Sequence, residues 1–144
     1  MIDFTIETEI DRPPEEVFAY VTDPDKLATW QTNTVSAVKV TEGPMGVGTR
    51  IREVHMVPIR RRLEELVEVI RYEPGRAFDL HVVEGPPIDA QISFEPLGAG
   101  TRMRFRVHGQ PTGAMHLLEP LVRVGIRRSF AGFCQTLKQH LEAN

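Results

Sequence analysis

The stretch Pro120-Leu121-Val122-Arg123-Val124-Gly125-Ile126-Arg127-Arg128-Ser129-Phe130-Ala131-Gly132-Phe133-Cys134-Gln135-Thr136-Leu137-Lys138-Gln139-His140-Leu141 decides the fold. Val122, Ile126, Phe130, Phe133, Leu137 and Leu141 recur at spacings of three and four, and Met115 and Leu118 extend the series upstream. Such spacing predicts a long helix with a broad apolar stripe. Pro120 has no N–H to donate, and its ring clashes with the carbonyl four residues earlier. The helix is therefore expected to break between Thr112 and Pro120 and to run unbroken from about Pro120 to Leu141. An apolar stripe of that length needs a large surface to cover.

The rest of the chain supplies one. Phe4-Thr5-Ile6-Glu7-Thr8-Glu9-Ile10 alternates apolar and polar, as a strand with one wet face does. Asp11-Arg12-Pro13-Pro14 ends it. Pro14 suits the first position of a short helix, with Glu15 and Glu16 favouring its dipole and Val17, Phe18 and Val21 forming its apolar face. Asp23-Pro24 caps a second short turn that carries Leu27 and Trp30 on one side. Trp30 is expected in the core or at a cavity rim. From Val35 to Gly109, turn chemistry at Gly43–Gly48, Pro58, Pro74-Gly75, Gly85-Pro86-Pro87 and Gly98-Ala99-Gly100 divides six further strands. In the last hairpin Glu95 faces Arg102, Ser93 faces Arg104 and Gln91 faces Arg106, with Phe94–Met103 and Ile92–Phe105 on the other side. The expected fold class is α+β. A seven-stranded curved antiparallel sheet wraps the C-terminal helix, with two short helices between strands 1 and 2. A curved sheet around one helix leaves a cavity wherever side chains do not fill it.

Composition bounds the function. The chain has 144 residues, 41% of them hydrophobic and 26% charged, with a formal net charge of −3. That length suits one domain, taken as residues 1–144. The slightly acidic balance argues against nucleic acid as a partner. No apolar run reaches the length of a transmembrane segment, and no signal-peptide pattern opens the chain. Cys134 is the single cysteine, so no internal disulfide or cysteine zinc site forms, and a cytoplasmic setting is expected. A monomer or homodimer is expected, with no cofactor.

Ile10-Asp11-Arg12-Pro13-Pro14-Glu15-Glu16-Val17-Phe18, Asp23-Pro24 with Trp30 a turn later, and Gly46-Val47-Gly48-Thr49-Arg50 form a set. With Tyr72-Glu73-Pro74-Gly75-Arg76, Phe94-Glu95-Pro96 and Gly100-Thr101-Arg102, the chain resembles the helix-grip (START-like, SRPBCC) superfamily. Within it, the resemblance is to the bacterial polyketide cyclase/dehydrase-like branch, and it covers nearly the whole chain. It implies a cavity for hydrophobic or aromatic small molecules, in members that range from cyclases to carriers without catalysis.

Strand alternation that turns Ile51 and Val57 inward carries Glu53 and His55 with them, and Leu63, Val67 and Val69 carry Glu65. A histidine beside two carboxylates can act as a general acid or base on an enolisable ligand. Val54 and Met56 are also apolar, so the opposite facing would put the trio in water. An unpaired buried carboxylate is costly, so Glu53 or Glu65 should pair with His55, water or an arginine, or have a raised pKa. Asp79, Asp89, His81 and His108 fall on the outer face, and His140 near the C-terminal end. Histidines without an i,i+4 pair predict no metal site. Gly125, Ser129, Gly132 and Thr136 form a stripe of small residues that either admits close packing or leaves volume for a ligand. Cys134 reads as a small core filler.

Three functions follow. The first is binding of a hydrophobic, lipid-like or aromatic polyketide-like molecule in a cavity lined by Trp30, Ile51, Phe78, Ile92, Phe94, Phe105, Ile126, Ser129 and Phe133. The second is a cyclase or dehydratase in which Glu53, His55 or Glu65 moves protons. The third is a module that docks an acidic protein or a membrane surface through arginines such as Arg60–Arg62, Arg102, Arg104, Arg106, Arg123, Arg127 and Arg128. Convergence of at least two of the three ionisable residues in an enclosed pocket separates the second from the first.

Overall fold

The computed structural model describes residues 1–57, 61–110 and 117–143. Strand β1 (Ile2–Ile10) is followed by helix α1 (Pro14–Val21), a 3-10 turn (Pro24–Lys26) and the one-turn helix α2 (Leu27–Trp30). Then come β2 (Thr34–Lys39), β3 (Arg50–Val57), β4 (Arg61–Glu73), β5 (Ala77–Glu84), β6 (Ile88–Leu97), β7 (Gly100–Gly109) and helix α3 (Glu119–Glu142). The strands form one antiparallel sheet in the order β1-β7-β6-β5-β4-β3-β2. This is the helix-grip arrangement. The β3–β4 turn at Pro58, Arg60, and the chain from Thr112 to His116 with Met115 lie outside the described residues.

Local chemistry explains the boundaries. Pro14 opens α1, Asp23 Oδ1 accepts from the Asp25 amide at 2.9 Å, and Pro120 sits in the first turn of α3, where its missing N–H costs nothing. In the β6–β7 hairpin, Glu95 pairs with Arg102, Ser93 with Arg104 and Gln91 with Arg106, in the expected register. Gly98 turns that hairpin at φ 61°, a conformation cheap only for glycine.

The concave face holds the core. Phe18 meets Tyr72, Phe78 and Phe94 edge-on, and Phe130 links Phe4, Phe105 and Phe133. Phe133, Cys134, Leu137 and Leu141 are the buried residues of α3. Phe133, Leu137 and Leu141 each contribute about 1.5–3 kcal/mol by leaving water. On the convex face Arg102 and Arg104 pair with Glu7 and Glu95, and Arg106 pairs with Asp3 at 2.8 Å. These arginines have their charge matched within the sheet, the solvated ion-paired surface that opposes a docking role for them. Asp79 is also on this face, between Arg71 and Gln91 in register, but it is buried, and that burial raises its pKa.

Gly109 closes the sheet's far end, paired with Ile2 on one side and Ile88 on the other. A Cβ there would lie 2.1 Å from the Pro87 carbonyl oxygen and 2.7 Å from Ile88 Cα. Both are backbone atoms that no rotamer change can move. Gly109→Ala is expected to cost about 1–3 kcal/mol, the usual range for forced overpacking. A thermal melt should fall by several degrees, and an unchanged melt would show that the β6–β7 end is loosely held.

Candidate functional site

Glu53 on β3 stands directly opposite Glu65 on β4. Like charges across a strand pair repel, and burial makes it worse. His55, two residues along β3, relieves this: its Nε2 lies 3.0 Å from Glu53 Oε1 and 3.2 Å from Glu65 Oε1. Glu53 and His55 are each 6% exposed, and Glu65 is half-buried. Val54 between them is buried too, while Met56 is exposed.

The ring's other nitrogen is anchored. A register shift between Thr34 and Ser36 sets Thr34 opposite His55, and Val35, the residue between, is exposed. Thr34 is buried and its Oγ1 lies 2.9 Å from His55 Nδ1. Bulges re-aim side chains in this way. The sequence does not single out Thr34, because a bulge leaves no mark in alternation.

Burial alone would lower the His55 pKa, but its hydrogen bonds to Glu53 and Glu65, helped by their charge, outweigh that and push it up to about 9. At neutral pH the ring is an imidazolium, donating from Nε2–H to the carboxylates and from Nδ1–H to Thr34. Burial raises the Glu53 pKa, the hydrogen bond to His55 opposes this, and the Glu65 charge adds to the rise. The pairing with His55 is the outcome that the cost of a buried carboxylate requires.

These carboxylates form the polar end of a cavity of about 80 Å³. Trp30, Phe78, Ile92 and Phe105 line it, as do Val21, Leu27, Gln31, Val67, Leu80, Val82, Ile88, Ala90 and Phe130. Trp30 is 1% exposed, packs edge-on against Phe105 at 6.3 Å, and its indole N–H has no hydrogen-bond partner. The remaining residues expected at the lining go elsewhere. Phe94 and Phe133 belong to the main core, and Ile51 packs with Val67 and Val82. Ile126 packs at the edge of the core. Ser129 is exposed, and nothing lies within 4 Å of a Cβ at Gly125 or Gly132. The small-residue stripe thus flanks the packed side: α3 turns its Phe130–Phe133–Leu137 side to the sheet, leaving Ser129 about 70° from that side's centre and exposed, and Thr136 half-buried. The strand residues of the lining absent from the sequence-based set, Val67, Leu80, Val82, Ile88 and Ala90, carry the same alternation signal as their neighbours, whereas Val21, Leu27, Gln31 and Phe130 come from the helices and their ends.

Asp89 lies 2.9 Å from a ring nitrogen of His81 on the outer face, and His81 and His140 are exposed. Cys134 is buried and its thiol is pushed up to about 11 by burial, against a hydrogen bond with Thr8, so it is no nucleophile. An open cleft of about 690 Å³ lies outside, between α1 and β2, but its Glu15 and Asp25 are exposed. Among the described residues, Glu53, His55 and Glu65 are the group whose atoms could hold a metal ion. No helix among the described residues is long and apolar enough to cross a membrane.

Solved structures share this fold. TTHA0849 from Thermus thermophilus aligns with a TM-score of 0.84 and 23% identity over 98% of this chain and 97% of that one. Ara h 8.0201 aligns at 0.75 and 16% identity, over 99% and 98%. Ms6760 from Mycobacterium smegmatis aligns at 0.74 and 15% identity, over 99% and 92%. No curated protein matches the chain. The family model described as polyketide cyclase/dehydrase and lipid transport matches residues 1–142, and the chain belongs to that family.

Proposed function

We propose that the chain binds a mainly apolar, lipid-like or polyketide-like small molecule in the cavity between sheet and α3, with its one polar group against Glu53, His55 and Glu65. One observation carries this. The cavity is lined mainly by apolar side chains, Trp30, Phe78, Ile92 and Phe105 among them, with the Glu53 and Glu65 carboxylates set into its wall, which is the composition of a ligand site. The space of about 80 Å³ takes the polar head of such a ligand, and a longer body requires more room than that. The family description and the fold support a ligand-binding role.

The convergence of Glu53, His55 and Glu65 favours a second reading, proton transfer of cyclase or dehydratase type. An imidazolium held between carboxylates can give a proton to an enolising carbonyl, and a carboxylate can take one from carbon.

Calorimetry with phenol and toluene tests the binding reading. Phenol should bind about tenfold tighter than toluene, from a hydroxyl donating to a buried carboxylate, and Glu65→Gln should erase that preference. Equal affinity in the wild type, or no binding of either, would overturn it. Native mass spectrometry of freshly purified protein then identifies any bound molecule. With that molecule, Glu65→Gln should weaken binding in a carrier, whereas in a cyclase it should abolish turnover and leave binding intact.

A further inference from the structure

We propose that Glu53, His55 and Glu65 form a binding site for one divalent transition-type cation, zinc, cobalt or manganese, which takes the place of the proton on His55 Nε2. The ligand atoms lie within 4.8 Å of one another. The Nε2···Oε1 separations of 3.0 and 3.2 Å match ligand–metal–ligand angles of about 90–100° for a metal about 2.1 Å from each atom. The donor set, one imidazole and two carboxylates, suits these cations. Absence of an i,i+4 histidine pair does not bear on it, because the three residues come together across a strand pair.

Charge points the same way. Two carboxylates with a neutral imidazole carry a charge of −2, which one divalent cation cancels, whereas a single proton leaves one negative charge buried. Among the described residues no lysine or arginine is paired with Glu53 or Glu65. Thr34 completes the arrangement: its Oγ1 at 2.9 Å takes the Nδ1–H of a neutral ring and leaves the Nε2 lone pair facing the carboxylates.

A second feature is independent of the cluster. Glu53, Glu65 and Trp30 line the same cavity, and the indole N–H of Trp30, 1% exposed, has no partner. A buried donor of this kind is costly to leave unmade. Water or an oxygen of a small ligand completing the cation's coordination would stand in that cavity and accept from it. The site rests on reading this corner as the functional end of the cavity, but not on which organic molecule binds there.

The test uses chelator-dialysed protein titrated with cobalt(II), read by visible absorption and quenching of Trp30, the single tryptophan, and with zinc by calorimetry. One ion per chain should bind with a micromolar or tighter Kd. Glu65→Gln and His55→Gln should each weaken it about 100-fold, and Thr34→Val about tenfold through the orientation of His55. His81→Gln, at the exposed His81–Asp89 pair, should change nothing. Absence of binding, affinity unaltered in Glu65→Gln, or loss in His81→Gln would overturn the proposal. If the metal fails to bind while phenol is still preferred over toluene, the metal site falls alone. If the metal binds through Glu65 and phenol shows no preference, the organic-ligand reading falls alone.

Discussion

Replacing Trp30 with alanine is expected to cost about 3–5 kcal/mol, the range for emptying a large aromatic site in a core. Against a total of about 5–15 kcal/mol for a typical domain, that is a large fraction of the stability. The ring is 1% exposed, lies at the end of α2, and meets Phe105 edge-on. It also walls the cavity, so alanine would merge its own void with the space already there rather than let neighbours collapse into it. Trp30→Phe separates packing from hydrogen bonding. Because the indole N–H has no partner within the protein, phenylalanine loses volume but also removes an unmade buried donor, so the net cost should be about 1 kcal/mol. Urea unfolding followed by circular dichroism measures both. A loss under 1 kcal/mol for alanine would place the ring outside the core. A loss near that of alanine for phenylalanine would mean that the N–H is satisfied.

How far the sequence discloses this architecture depends on what each signal measures. Strand alternation and proline position are local, and the structure returns them closely. The β6–β7 register follows the pairing of Glu95 with Arg102, and α3 begins at Glu119, one residue before Pro120. The inward facing of Glu53, His55 and Glu65 is an open choice in the sequence, because Val54 and Met56 fit the opposite face equally well. Tertiary contact settles it: β4 lies against β3 with Glu65 opposite Glu53, and His55 bridges them. Thr34 is invisible for the same reason, since the register shift that brings it to His55 leaves no mark in the residue pattern. The helix gives the opposite lesson. Ser129 sits in a stripe of small residues beside the apolar one, and spacing alone allows that stripe to face the cavity. Packing of Phe133, Leu137 and Leu141 against the sheet fixes the helix rotation and sends Ser129 to solvent.

His55→Leu should destabilise the protein by about 3–5 kcal/mol at neutral pH, the cost of removing one partner from a buried ion pair. Leucine fills similar volume, so the loss comes from charge: Glu53 and Glu65 remain opposite each other, with the cation between them gone. The triple variant Glu53→Gln/His55→Leu/Glu65→Gln removes the charges as well and should recover most of the loss. In the wild type the sign with pH is fixed by the raised pKa. In chelator, the contribution of His55 is fully present below about pH 6.5 and is lost as pH rises through about 9. At about 1.4 kcal/mol per unit, that decline amounts to about 3 kcal/mol. The raised pKa of Glu53 acts in the same direction, since a carboxyl that prefers its proton when folded loses stability as pH rises. His55→Leu should therefore lack the decline between pH 6.5 and 9 and regain stability on acidification, when protonation of Glu53 removes the uncompensated charge. Urea midpoints measured from pH 5 to 9.5 give the answer. A wild-type midpoint that stays level between pH 6.5 and 9, with the variant running parallel to it, would mean that the carboxylates do not hold His55 as a cation.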